Sequence, residues 1–144
     1  MKRLLRVLSA LMLATYAFAQ RQVTISLLET SDVHGNYFPY DFINGKSGEG
    51  SLARVYTYVE KLRHKQGKDR VVLLDNGDIL QGQPTAYYYD FIDTTSTHLC
   101  ADVLNYMHYD AATVGNHDVE TGHAVYDRWV SQCHYPVLGA NVID

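Results

Sequence analysis

Cysteine is scarce, with Cys100 and Cys133 the two in 144 residues. They form no C-x-x-C, and Cys133-His134, being adjacent, would chelate a single ion poorly, so a cysteine-based metal site has no support. Positive charge is also in short supply. Twelve Lys and Arg stand against sixteen Asp and Glu, a net charge of −4. That balance gives no reason to expect nucleic-acid or anionic-membrane binding. The longest apolar stretch, Val7 to Phe18, is interrupted by Ser9, Thr15 and Tyr16. It is shorter than the roughly 20 residues a membrane span needs. Low-complexity tracts and internal repeats are missing too. What is present is ordinary for a globular chain, 47% hydrophobic and 19% charged, with twelve tyrosines, three of them in the run Tyr87-Tyr88-Tyr89.

The first residues, Met1-Lys2-Arg3-Leu4-Leu5-Arg6, are a basic leader to that apolar stretch, and Ala17-Phe18-Ala19 follows as an A-x-A cleavage site before Gln20. Residues 1–19 are therefore expected to be a secretory signal peptide, the alternative being an N-terminal anchor. The exported product, periplasmic or secreted, would keep no stable membrane insertion after cleavage. The remaining 20–144, about 125 residues, suffices for one core. Export makes a Cys100–Cys133 disulfide permissible, but both fall in predicted helices and two free thiols are the preferred reading.

Apolar runs and helical periodicities alternate. Val23–Glu29, Val71–Leu74, Ala111–Val114 and Pro136–Ala140 read as strands. Between Ser51 and Lys65 the residues Leu52, Val55, Val59 and Leu62 recur at helical spacing, with Ser51 or Gly50 as the start and Gly67 as the stop. Thr97–Tyr109 and about Gly122 to Cys133 are also predicted helical, placing His98 and His108 on a surface. Asn36–Glu49 reads as a loop whose Tyr37, Phe38, Tyr40 and Phe42 either pack over the sheet edge or wall a site. Asp78–Asp93 reads as irregular. Repeated strand-helix-strand units imply an α/β fold with mostly parallel pairing.

Three of these strands end alike. Thr30-Ser31-Asp32-Val33-His34-Gly35 closes the first, Asp75-Asn76-Gly77-Asp78 the second, and Gly115-Asn116-His117-Asp118-Val119-Glu120 the third. Glycine permits the turn, and ligands of open α/β sheets gather at the carboxyl ends of strands. Taken singly, Asn116 and His117 would be a helix cap and a surface histidine. Repeated three times, the pattern brings polar groups to one edge. Asp32 and His34, two residues apart, are expected to point to the same face. Mixed oxygen and nitrogen donors suit Zn, Mn, Fe or Co better than Ca.

Asp32-x-His34, Gly77-Asp78 and Gly115-Asn116-His117-Asp118 resemble the first three motifs of the calcineurin-like metallophosphoesterases. Asp78-Ile79-Leu80-Gln81-Gly82-Gln83-Pro84 and Ala140-Asn141-Val142 are similar to the 5′-nucleotidase and 2′,3′-cyclic-nucleotide phosphodiesterase branch. The resemblance spans nearly all of 22–144. It implies the N-terminal part of an αββα sandwich and hydrolysis of a small phosphoester, a nucleotide, by attack of a metal-bridging hydroxide. Two divalent ions, roughly 3.5–4 Å apart, would be held by Asp32, His34, a bridging Asp78 and Asn116. His117 would be the catalytic histidine, raised in pKa by a carboxylate. In related bacterial enzymes that carboxylate is an Asp three residues on, where this chain has Glu120. The family's later motifs, a lone His and a Gly-His pair, have no match, since His123 and His134 come too early. The catalytic domain is thus expected to be incomplete at its C-terminal end. The alternatives are a non-catalytic exported domain that binds metal or nucleotide on the same scaffold, and a sugar- or peptide-binding module built on the tyrosines.

Overall fold

The computed structural model describes Arg6 and residues 22–139; the rest of the signal-peptide reading, 1–19, and Ala140-Asn141-Val142 fall outside these. Strand β1 is Ser26–Thr30, followed by a small antiparallel hairpin, β2 Tyr40–Asp41 and β3 Lys46–Ser47. Helix α1, Leu52–Gln66, leads through a 3₁₀ turn to β4, Val71–Asp75. A short helix α2, Pro84–Tyr87, runs into a π-helical turn, Tyr88–Ile92. Then come α3 Leu99–Met107, β5 Ala111–Thr113, α4 Asn116–Glu120, α5 His123–Gln132 and β6 Val137–Leu138.

The sheet order is β1-β4-β5-β6, every neighbour parallel. Parallel pairing requires crossovers, and α1, α3 and α5 supply them. Their apolar stripes meet one sheet face. Leu52 and Val59 of α1, Leu104 of α3 and Trp129 of α5 are buried with Leu73 and Ala112 of the strands. On the opposite face Leu27 of β1 and Leu138 of β6 remain exposed. Apart from the β2-β3 hairpin, the described residues thus form one helical layer on one four-stranded sheet; the second large sheet of an αββα sandwich and its helices are not among them.

Local chemistry explains the element ends. The Ser51 hydroxyl accepts from the Arg54 amide at 3.4 Å and caps α1. Gly67, at φ 94°, ends it, its amide returning to the Arg63 carbonyl. Arg63 is buried because its guanidinium donates to the carbonyls of Met107 and His108, at 2.7 and 2.8 Å. Those are carbonyls at the end of α3, where a cation is favoured.

Several expectations need correction. His98 is not a surface histidine but is fully buried, its Nε2 2.8 Å from Asp90 Oδ1 and its Nδ1 accepting from the Cys100 amide. An amide only donates, so Nδ1 is unprotonated and Nε2 carries the proton toward Asp90. The pair ties the π-helical turn to the start of α3, which explains how both groups tolerate burial. His108 is exposed, in the left-handed conformation that stops α3. The segment 78–93 is helical in part, and the predicted helix at 122–133 is preceded by the separate α4. Tyr37 is buried, whereas Phe38, Tyr40 and Phe42 are exposed in edge-to-face pairs. Cys100 and Cys133 are free thiols; Cys133 lies just beyond α5 and is half-buried.

Candidate metal centre

Three loops leave the carboxyl ends of β1, β4 and β5, and backbone bonds join the first two. The Asn76 amide donates to the Thr30 carbonyl, Asp32 to Gly77 and His34 to Asp78, at 2.8, 3.1 and 2.9 Å. Glycine makes the next approach possible. A Cβ on Gly77 would lie 2.2 Å from the Gly115 nitrogen, and one on Gly115 would lie 2.1 Å from Asp78 Oδ1. A Cβ on Gly82 would likewise meet the His34 carbonyl oxygen at 2.5 Å.

These loops bring Asp32, His34 and Asp78 together, with one donor atom of each within 4.8 Å of the others. All three residues adopt positive φ, at 54°, 50° and 56°. Left-handed backbone costs a non-glycine residue about 1–2 kcal/mol, and such strain clusters at functional sites. The pleat does not explain why Asp32 and His34 share a side: β1 ends at Thr30, and the two left-handed turns beyond it redirect both side chains.

His34 is oriented by its own hydrogen bond. Its Nδ1 is 2.8 Å from the Gln81 carbonyl oxygen, which only accepts, so Nδ1 carries the proton. The lone pair of Nε2 is left free, 3.9 Å from Asp32 Oδ1. Fixing the tautomer through the other ring nitrogen is the usual support of a metal-binding histidine. Two carboxylates and one such imidazole fit a borderline divalent cation.

Asn116 opens α4 and is exposed. The amide of the next residue, His117, donates to Asp78 Oδ1 at 2.9 Å, so this loop and the Asp78 loop share a bond. The His117 ring lies edge-on to His34, centroids 5.3 Å apart. Its Nδ1 is 2.9 Å from Glu120 Oε2, one helical turn away. That bond is the main reason the His117 pKa is raised above the ordinary histidine value; partial desolvation opposes it, and the charges of Glu120, Asp78 and Asp118 add to it. The longer Glu120 reaches the ring.

Two carboxylates here escaped the sequence reading. Asp75, at the end of β4, is buried, accepting from the Thr30 hydroxyl at 2.6 Å and the Gly77 amide at 3.0 Å. Burial is the largest cause of its pKa rising to about 6. Asp118 is fully buried and accepts only backbone amides. A carboxylate three residues after a helix-starting glycine is a capping signature, and it was the available signal.

Residues 25–141 match the calcineurin-like phosphoesterase family. The chain belongs to that family. This calcineurin-like phosphoesterase chain is 35% identical over 131 residues to the trifunctional nucleotide phosphoesterase protein YfkN of Bacillus subtilis, covering 86% of itself and 9% of that protein. It is 31% identical over 144 residues to a 2′,3′-cyclic-nucleotide 2′-phosphodiesterase/3′-nucleotidase of Yersinia enterocolitica, covering 97% of itself and 22% of the relative. The crystal structure of YfkN superposes with a TM-score of 0.72 at 34% identity, over 82% of this chain and 37% of that one. The phosphoesterase chain thus spans a tenth to about a fifth of the length of these curated relatives. None of its described helices is long and apolar enough to cross a membrane.

Proposed function

We propose that this chain is the part of a nucleotide phosphoesterase, of 5′-nucleotidase or cyclic-nucleotide phosphodiesterase type, that carries the first metal ligands and the catalytic histidine. The observation that carries the reading is the convergence of Asp32, His34 and Asp78 on one point, with His117 edge-on to His34. Asp32, His34, Asp78 and Asn116 would hold the divalent cations, Zn, Mn, Fe or Co. Such cations supply positive charge to the phosphoryl oxygens and acidify the attacking water.

The chain's own residues do the rest. Glu120 holds His117 by Nδ1, which leaves Nε2 available to a substrate. With its pKa raised, His117 is charged over a wider pH range. It can donate a hydrogen bond to a phosphoryl oxygen and a proton to the leaving alkoxide, a role worth roughly 10²–10⁴-fold in rate. The nucleotide relatives support a nucleotide as substrate.

The test pairs Mn²⁺ binding with hydrolysis of nucleoside monophosphates, 2′,3′-cyclic nucleotides and p-nitrophenyl esters by the full reading frame. Asp78→Asn should lose metal and turnover together. Normal metal content and rate in that variant would sink the assignment; binding without turnover in the parent would favour a non-catalytic domain. Export is part of the proposal, and sequencing of the mature protein should begin at Gln20.

A further inference from the structure

Asp118 has the least solvent access of the carboxylates around the centre, being fully buried, yet it meets no cation. Its Oδ1 accepts from the amides of Ile79 and Leu80, at 2.9 and 2.8 Å. Its Oδ2 accepts from the amides of Asp78 and Gly115, at 2.8 and 2.9 Å. Four N–H groups on two oxygens use the full acceptor capacity of a carboxylate. Neutral amides outside any strand or long helix normally bond water; here a buried anion gathers them.

The four donors are not scattered. Three belong to consecutive residues, 78–80, at the turn where Asp78 takes its left-handed backbone. The fourth precedes Asn116 and His117. Asp118 itself stands on α4, between His117 and Glu120. The His117 amide then returns to Asp78 Oδ1, so the two loops close a ring of bonds through Asp118.

We propose that Asp118 is a positioning residue of the metal centre. Its carboxylate sets the direction of the Asp78 side chain relative to Asn116 and His117, through the peptide of Asp78 and the amide of Gly115. This rests on the phosphoesterase reading above. An uncharged amide cannot replace it. In Asp118→Asn one oxygen still accepts two N–H groups, but the NH₂ confronts the other two donors, and the Asp78 and Gly115 loops are pushed apart.

The experiment uses the full reading frame, ¹⁵N-labelled, and two readouts, amide hydrogen exchange without metal and titration with Mn²⁺ alone. In the parent, the amides of Asp78, Ile79, Leu80 and Gly115 should exchange as slowly as those of β4. In Asp118→Asn they should speed up together by at least tenfold while Leu73 and Leu104 keep their rates, and Mn²⁺ affinity should fall about 10–100-fold. Asp118→Glu, which keeps the charge and both acceptor oxygens, should recover part of each. Fast exchange of the four amides in the parent overturns the proposal, and needs no variant to fold. So does Mn²⁺ affinity within twofold of the parent in Asp118→Asn, or equal acceleration of every amide, which marks a general stabiliser. A parent that takes up no Mn²⁺ despite four slow amides overturns the metal reading and the positioning role with it, and leaves only a tie between loops.

Discussion

Replacing Asp75 by Asn should stabilise the chain at neutral pH. The Asp75 carboxyl is buried, and its pKa rises from 3.8 to about 6, mainly through burial, with the charges of Asp118 and Asp32 adding to the rise. The bonds from Thr30 and Gly77 oppose the rise and do not cancel it. A folded pKa above the unfolded one means the native state binds the extra proton between those values. Asp75 therefore stabilises the fold most below about pH 4, and that contribution is lost as pH climbs through about 6. The shift is worth about 3 kcal/mol at neutral pH. Asparagine removes the ionisation while keeping both contacts: its oxygen accepts from the Gly77 amide and its NH₂ donates to the Thr30 hydroxyl. The hydroxyl retains the Leu74 carbonyl, 3.4 Å away, as an acceptor. The assay is urea unfolding of both proteins from pH 4 to 7.5 with chelator present, since a bound cation would pull the proton off Asp75. The two should be close at pH 4, with Asp75→Asn ahead by about 2–3 kcal/mol at pH 7. A difference that does not change with pH would refute the reasoning, because Asp75 would then not titrate in that window.

Two further perturbations test the site. Glu120→Gln should lower the titration midpoint of the His117 ring protons toward the ordinary histidine value, followed by NMR in metal-free protein, because the Glu120 bond is the largest cause of the rise; an unmoved midpoint would show that Glu120 is not the partner. Gly115→Ala should reduce unfolding stability by about 1–3 kcal/mol, the usual cost of overpacking, since its Cβ would fall 2.1 Å from Asp78 Oδ1, and parental stability would mean the loops are not in contact.

Much of this architecture was legible in residue order. Apolar runs closing on glycine and a polar residue located three strand ends, because a chain leaving a buried sheet needs a turn, and glycine supplies it. Ser51, the spacing of Leu52, Val55, Val59 and Leu62, and Gly67 marked α1 within a residue or two, since capping and amphipathic spacing are local properties. The hairpin at 40–47 and the π-helical turn at 88–92 were not foreseen, as short elements carry little periodicity.

By itself the sequence determined which chemical groups exist and the order of the strands that deliver them: Asp32 and His34, then Asp78, then Asn116 and His117, with Glu120 one turn on. Tertiary structure alone decided their company. That Asp118 and His98 are buried, against the habit of their residue types, depends on donors and acceptors far off in sequence: the amides of residues 78–80 for one, Asp90 for the other. The left-handed backbone of Asp32, His34 and Asp78, unfavourable in isolation, is held by bonds between adjoining loops. No local propensity encodes such a bond, because its energy exists only once distant segments of chain have met.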